Sequence, residues 1–134
     1  MPTGTGEPLV LVVDDYADAR EMYAESLLVS GFRVAEAADG VSALHLARTL
    51  APDVILMDLS LPGLDGWEAT RQLKADARTR HIPVVALTGH AMASALDAAR
   101  RAGCDRFVVK PALPDVVVDE VRQALGRRAG AACH

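Results

Sequence analysis

Aromatic residues are scarce: Phe, Trp and Tyr make up 4% of the 134 residues. Any core must therefore be aliphatic, built from Val, Leu, Ile and Ala. Cysteine is nearly absent. Cys104 and Cys133 are the only two, too few for a disulfide framework, and no CxxC or Cys/His cluster offers a zinc site. Lysine is rare as well. Twelve of the fourteen basic residues are Arg, and they are scattered, so no basic stripe marks a nucleic-acid surface. No stretch approaches the roughly 18 apolar residues of a membrane span. Residues 1–8 carry neither a basic cluster nor an apolar run, so no signal peptide is read there. The expected setting is a reducing cytoplasm, with no direct nucleic-acid or membrane partner.

What is present suits one folded domain. Apolar residues reach 51% and charged residues 24%, with a net charge of −4. A chain of this length buries about two-thirds of its unfolded surface. Residues 1–8, rich in Gly, Thr and Pro, read as a flexible lead. Residues 9–126 read as the domain, and 127–134, without apolar periodicity, as a frayed tail.

Within the domain a pattern recurs. Short apolar runs at Leu9–Val13, 33–36, 54–57, 83–87 and 107–109 alternate with longer segments of helical period. Most runs are apolar throughout rather than alternating, the mark of strands covered on both faces. Helices are predicted at 18–30, 41–50, 66–77, 92–102 and 113–125. Their apolar stripes are Tyr23, Ala24, Leu27 and Leu28; Val41, Leu44 and Leu46; Trp67, Thr70, Arg71 and Leu73; and Val117, Val121, Ala124 and Leu125. Gly31 and Gly103 end two of them, and Pro52 stops another. Five β-α repeats predict an α/β fold, a parallel sheet with helices on both faces. Ligands of such sheets bind at the carboxyl ends of the strands.

Those ends carry the chemistry. Asp14 and Asp15 follow the first strand, Asp58 the third, Thr88 the fourth, and Lys110 with Pro111 the fifth. Taken singly, each is ordinary: an Asp pair after a strand is commonly a turn or helix start. Together they place three carboxylates, a hydroxyl and an ammonium on one rim. Crowded carboxylates repel unless a cation is present, and an all-oxygen donor set suits Mg²⁺. Cation, ammonium and hydroxyl together stabilise a transferring phosphoryl group. A carboxylate in such a site can be the nucleophile, and Asp58, the isolated acid after the central run, is the best placed. Rival α/β signatures are missing. No Gly-x-Gly-x-x-Gly follows the first strand, and neither GxxxxGK[ST] nor Gly-x-Ser-x-Gly occurs. A phosphatase of the haloacid-dehalogenase type needs a second acid two residues after its nucleophile, where Ser60 stands here.

From about Leu9 to Leu125 the chain resembles receiver domains of bacterial two-component response regulators. The resemblance rests on Val12-Val13-Asp14-Asp15, Val54-Ile55-Leu56-Met57-Asp58-Leu59, Leu61-Pro62-Gly63-Leu64-Asp65-Gly66, Pro83-Val84-Val85-Ala86-Leu87-Thr88 and Val108-Val109-Lys110-Pro111. It implies a flavodoxin-like (βα)5 fold with strand order 2-1-3-4-5. It implies a signalling switch that takes a phosphoryl group from phosphohistidine of a sensor histidine kinase or histidine phosphotransfer protein onto Asp58. Asp15, Asp58 and the backbone carbonyl of Ser60 would hold Mg²⁺, with Asp14 acting through water. Thr88 and Lys110 would grip the phosphoryl oxygens, and the Lys110–Pro111 bond would be cis. Phosphorylation would draw Thr88 and Lys110 inward, and Phe107 would turn into the vacated space. The alternative for Phe107 is a permanently inward core ring, since it lacks a Tyr hydroxyl.

Several positions depart from the family or vary within it. Ala112 stands where Phe is frequent. Cys104 takes a small-residue position and reads as a buried hydrophobe. Ser60 and His90 lie where the lifetime of the phosphorylated state is tuned. Neither is an acid or amide, which predicts a long-lived phosphoaspartate, and His90 has a surface contact for a partner as its other reading. His45, His81 and His134 read as surface residues.

The resemblance also frames the output. With no output domain after Leu125, the expectation is a single-domain regulator acting on a downstream protein through the fourth helix, fifth strand and fifth helix, a face that also suits a homodimer. It catalyses only its own phosphorylation and dephosphorylation. The alternatives are a phosphorelay intermediate, a receiver fragment of a hybrid kinase and, more distantly, a phosphorylation-independent interaction module.

Overall fold

A computed structural model describes residues 7–59, 65–89 and 93–133. Five strands, β1 (Leu9–Val13), β2 (Arg33–Ala37), β3 (Val54–Asp58), β4 (Val84–Thr88) and β5 (Arg106–Val109), alternate with five helices. These are α1 (Ala17–Val29), α2 (Gly40–Leu50), α3 (Gly66–Ala75), α4 (Ala93–Ala102) and α5 (Pro114–Cys133). The strands form one parallel sheet in the order β2-β1-β3-β4-β5.

The continuous apolar runs have the expected cause. Successive side chains of a strand point to opposite faces, and here both faces are covered. Leu11, Val13, Ile55, Met57, Val84 and Ala86 pack with Ala43, Leu44, Ala47, Ala69 and Leu73 from α2 and α3. Val10, Val12, Val54, Leu56, Val85 and Leu87 pack on the other side with Tyr23 and Leu27 of α1 and Val117, Val121 and Ala124 of α5. Every residue of β3 and β4 is buried. The edge strands β2 and β5 are only partly so.

Local chemistry sets the helix ends. Asp39 and Asp65 cap α2 and α3, their carboxylates accepting from the backbone N–H groups of Ser42 (2.7 Å) and Glu68 (2.8 Å). Gly31 follows α1 with φ 97°, the left-handed geometry that glycine tolerates best. Ala51 closes α2 in that conformation with φ 48°, and Pro52 prevents further helix. No helix of the described residues is long and apolar enough to cross a membrane.

The structure departs from the sequence reading in four places. Leu28 and Val41, assigned to buried stripes, are 56% and 66% exposed, because each stripe is narrower than its apolar residues suggest. Arg71 is exposed beside buried Thr70 and Leu73. Helix α5 continues through residues 127–133, where a frayed tail is predicted. Arg and Ala are strong helix formers and sustain a helix without an apolar stripe. Residues 1–6 of the expected lead, and His134, lie outside the described residues.

Candidate functional site

The carboxyl ends of β1, β3, β4 and β5 meet at one edge of the sheet. Asp58 ends β3 and Thr88 ends β4, each 3% exposed. Asp14 follows β1 and is fully buried, whereas Asp15 beside it is exposed. One oxygen from each of Asp14, Asp15 and Asp58 lies within 4.8 Å of the other two. Lys110, after β5, brings its Nζ to 3.1 Å from Oδ2 of Asp58 and 3.3 Å from Oδ2 of Asp14. The structure thus brings together the five predicted residues of the rim.

Backbone contacts hold them there. The Asp14 N–H donates to the carbonyl of Ala37 (3.1 Å), tying the end of β1 to β2. Oδ1 of Asp14 accepts from the N–H of Tyr16 (2.9 Å). The Lys110 N–H donates to the Thr88 carbonyl (2.7 Å), so the last loop is indexed to β4. The Leu59 N–H donates to the Leu87 carbonyl (3.0 Å), which extends the β3–β4 ladder past Asp58. The Lys110–Pro111 peptide is cis.

The electrostatics follow from burial. Desolvation pushes the Asp14 carboxyl above its usual range, and the Asp58 charge adds to this against the Tyr16 N–H and Lys110. Burial works against the Lys110 ammonium too, but its hydrogen bond and charge attraction to Asp58, joined by Asp14, prevail and raise its pKa. One ammonium faces three carboxylates, so negative charge remains in excess. Three clustered oxygen donors with excess charge fit a hard divalent cation such as Mg²⁺.

Phe107 on β5 is half-buried against the core beneath α2 and α3. The Arg100 guanidinium of α4 lies over its ring, 5.6 Å from the centroid. Ser60 and His90 lie outside the described residues, as does the Leu61–Leu64 segment of the motif. Cys104 is buried, as expected, and burial raises its thiol to about 11. His45 and His81 are exposed.

Two contributors escape a reading of the sequence. Gly66, the first residue of α3, abuts the backbone of Asp58 and Leu59, and an added Cβ would lie 2.6 Å from the Leu59 Cα. Its place beside Asp65 in the motif is the only sequence signal. Arg20 donates through Nη1 to the Asp14 carbonyl and through Nε to Glu36 Oε1, each at 3.0 Å. Nothing in the local pattern pairs residues 20 and 36. The pairing follows from β2 lying beside β1.

Comparison with known proteins agrees with this geometry. Residues 10–122 match the family described as the response regulator receiver domain. The chain is 35% identical over 117 residues to the polar-differentiation response regulator DivK of Brucella anthropi, covering 87% of this chain and 95% of that protein. Among solved structures, chemotaxis protein CheY4 of Vibrio cholerae superposes with a TM-score of 0.85 at 28% identity, covering 90% of this chain and all (100%) of that one. The receiver domain of a Pseudomonas aeruginosa sensor histidine kinase, described with magnesium coordinated in its active-site cleft, gives a TM-score of 0.83 at 30% identity over 90% and 99% of the two chains.

Proposed function

The chain belongs to the receiver-domain family of response regulators, and on that footing we propose that it is a phosphorylation switch with Asp58 as phosphoacceptor. The single observation that carries this reading is the position of Asp58. It is a buried acid at the end of the central strand, 3.1 Å from an ammonium and within 4.8 Å of two further carboxylates.

The donor is a phosphohistidine of a sensor histidine kinase or of a histidine phosphotransfer protein. An Asp58 carboxylate oxygen attacks phosphorus, and the phosphorus–nitrogen bond breaks. The imidazole leaves with the bonding pair, and an aspartyl phosphate remains. Lys110 moves from carboxylate to phosphoryl oxygens, and the Thr88 hydroxyl donates to another of them. Asp15, Asp58 and the Ser60 carbonyl would hold Mg²⁺, and Asp14 would act through water. When bound, Mg²⁺ neutralises the acidic cluster and the charge developing on the transferred group. The chain turns over no other substrate; it catalyses only its own phosphorylation and dephosphorylation. Neither Ser60 nor His90 offers a carboxylate or carboxamide to orient an attacking water, which supports a long-lived phosphorylated state.

Output passes through α4, β5 and α5. Movement of Thr88 toward the phosphoryl group opens space beside β5, and Phe107 occupies it. Val109, Leu113 and Val116 are exposed apolar residues on this face, at 41%, 68% and 44%. They suit a downstream protein or a second copy of the chain. The switch works in the cytoplasm, and a relay that hands the phosphoryl group to another histidine uses the same site.

The test is incubation with acetyl phosphate and Mg²⁺, followed by intact mass. The expected result is gain of one phosphoryl group, abolished by Asp58→Asn and by removal of Mg²⁺. Absence of any gain in the unaltered protein, with beryllofluoride also failing to bind, overturns the reading and leaves a phosphorylation-independent interaction module.

A further inference from the structure

Asp15 is the exposed member of the acidic cluster, and among the described residues no ion pair holds it. Its direction depends on the backbone that carries it, and that backbone is fixed by one side chain. Arg20, in the first turn of α1, donates through Nη1 to the Asp14 carbonyl at 3.0 Å. Its Nε donates to Glu36 Oε1 on β2, also at 3.0 Å. The Arg20 side chain is only 18% exposed. A peptide unit is planar, so holding the Asp14 carbonyl orients the whole Asp14–Asp15 link. The other bonds of the segment converge on the same result. The Asp14 N–H is held by Ala37, the Tyr16 N–H by Asp14 Oδ1, and the Tyr16 carbonyl by the Arg20 N–H at 2.9 Å.

We propose that Arg20, oriented by Glu36, is a positioning residue that presets the Asp14–Asp15 pair for a divalent cation and so sets the Mg²⁺ affinity of this chain. The proposal rests on the reading that the acidic cluster holds Mg²⁺. Arginine suits the task because its rigid fork serves two acceptors at once, one just past β1 and one on β2. A lysine ammonium lacks that planar geometry.

The sign of the effect separates positioning from charge. A guanidinium hydrogen-bonded to the backbone of the acidic pair repels an incoming cation through space. By charge alone, removing it tightens Mg²⁺ binding. Loss of positioning weakens it, by the roughly tenfold lower end that outer contacts to metal ligands contribute.

The experiment is a Mg²⁺ titration of the full chain, read by amide chemical shifts, for the unaltered protein, Arg20→Met and Arg20→Lys. Thermal unfolding without Mg²⁺ is measured alongside. The expected result is about tenfold weaker binding in Arg20→Met, and an intermediate loss in Arg20→Lys although its charge is unchanged. Equal or tighter binding in Arg20→Met overturns the proposal. Should that variant fail to fold, Arg20→Lys decides: weaker binding supports positioning, and unchanged binding overturns it. Failure of the unaltered protein to bind Mg²⁺ overturns the cation reading itself and this inference with it. Binding by the unaltered protein with no loss in either variant overturns this inference alone.

Discussion

The Lys110 ammonium lies 3.1 Å from Oδ2 of Asp58, and the same nitrogen is 3.3 Å from Oδ2 of Asp14. One cation from the loop after β5 thus spans two buried carboxylates from β1 and β3. In Lys110→Met both carboxylates lose that partner. The expected loss of stability at neutral pH is about 2 kcal/mol, below the usual figure for a buried pair because Lys110 is 29% exposed. Denaturant unfolding measures it. The loss shrinks in acid, where the Asp14 carboxyl takes up a proton, and Mg²⁺ offsets part of it at neutral pH.

Asp14 has the opposite effect on stability. Its carboxyl is raised by burial and by the Asp58 charge. The folded chain therefore holds a proton that the unfolded chain has released, and stability falls as pH rises through that window. Below the ordinary carboxylate range the penalty is absent, and above the raised value it is complete. Asp14→Asn is expected to raise the melting temperature at pH 7 by a few degrees, on the order of 1 kcal/mol. The gain vanishes in acid below the ordinary range, and Mg²⁺ affinity falls. Melting curves across pH check the sign.

Gly66 abuts the backbone of Asp58 and Leu59. An added methyl group meets main chain that cannot rotate away. Gly66→Ala is expected to lose about 3 kcal/mol of stability and to slow phosphorylation of Asp58, by pushing α3 off the end of β3. Chemical unfolding and acetyl phosphate kinetics on the same sample read both effects.

Cys104 is 6% exposed, and burial lifts its thiol to about 11. At pH 8 only about one molecule in a thousand carries the reactive thiolate. In a Cys133→Ser background, iodoacetamide is expected to leave the native protein unmodified and to label it fully in denaturant. Rapid native labelling would contradict the burial.

Much of this was readable in the sequence because the fold repeats one device. Each of Asp14, Asp58, Thr88 and Lys110 follows an apolar run, and parallel order sends all of those ends to the same edge. Asp39, Asp65 and Gly31 announce helix ends through their own local chemistry. What escaped depends on tertiary neighbours. Val41 and Leu28 are as apolar as the residues beside them, and only the sheet decides which side is covered. Continuation of α5 to Cys133 reflects propensity without an apolar period. Arg20 and Glu36 are sixteen residues apart and meet only because β2 lies beside β1. Gly66 matters through backbone proximity, which no pattern of side chains reports.

The central claim is that Asp58 carries the phosphoryl group as an acyl phosphate. Borohydride reduction tests it directly, because it converts a phosphorylated aspartate to homoserine and leaves free carboxylates alone. After treatment with acetyl phosphate and Mg²⁺, reduction and proteolysis, the account predicts homoserine at position 58 alone. Homoserine at position 14 or 15, or a phosphorylated chain with residue 58 unaltered, would contradict it.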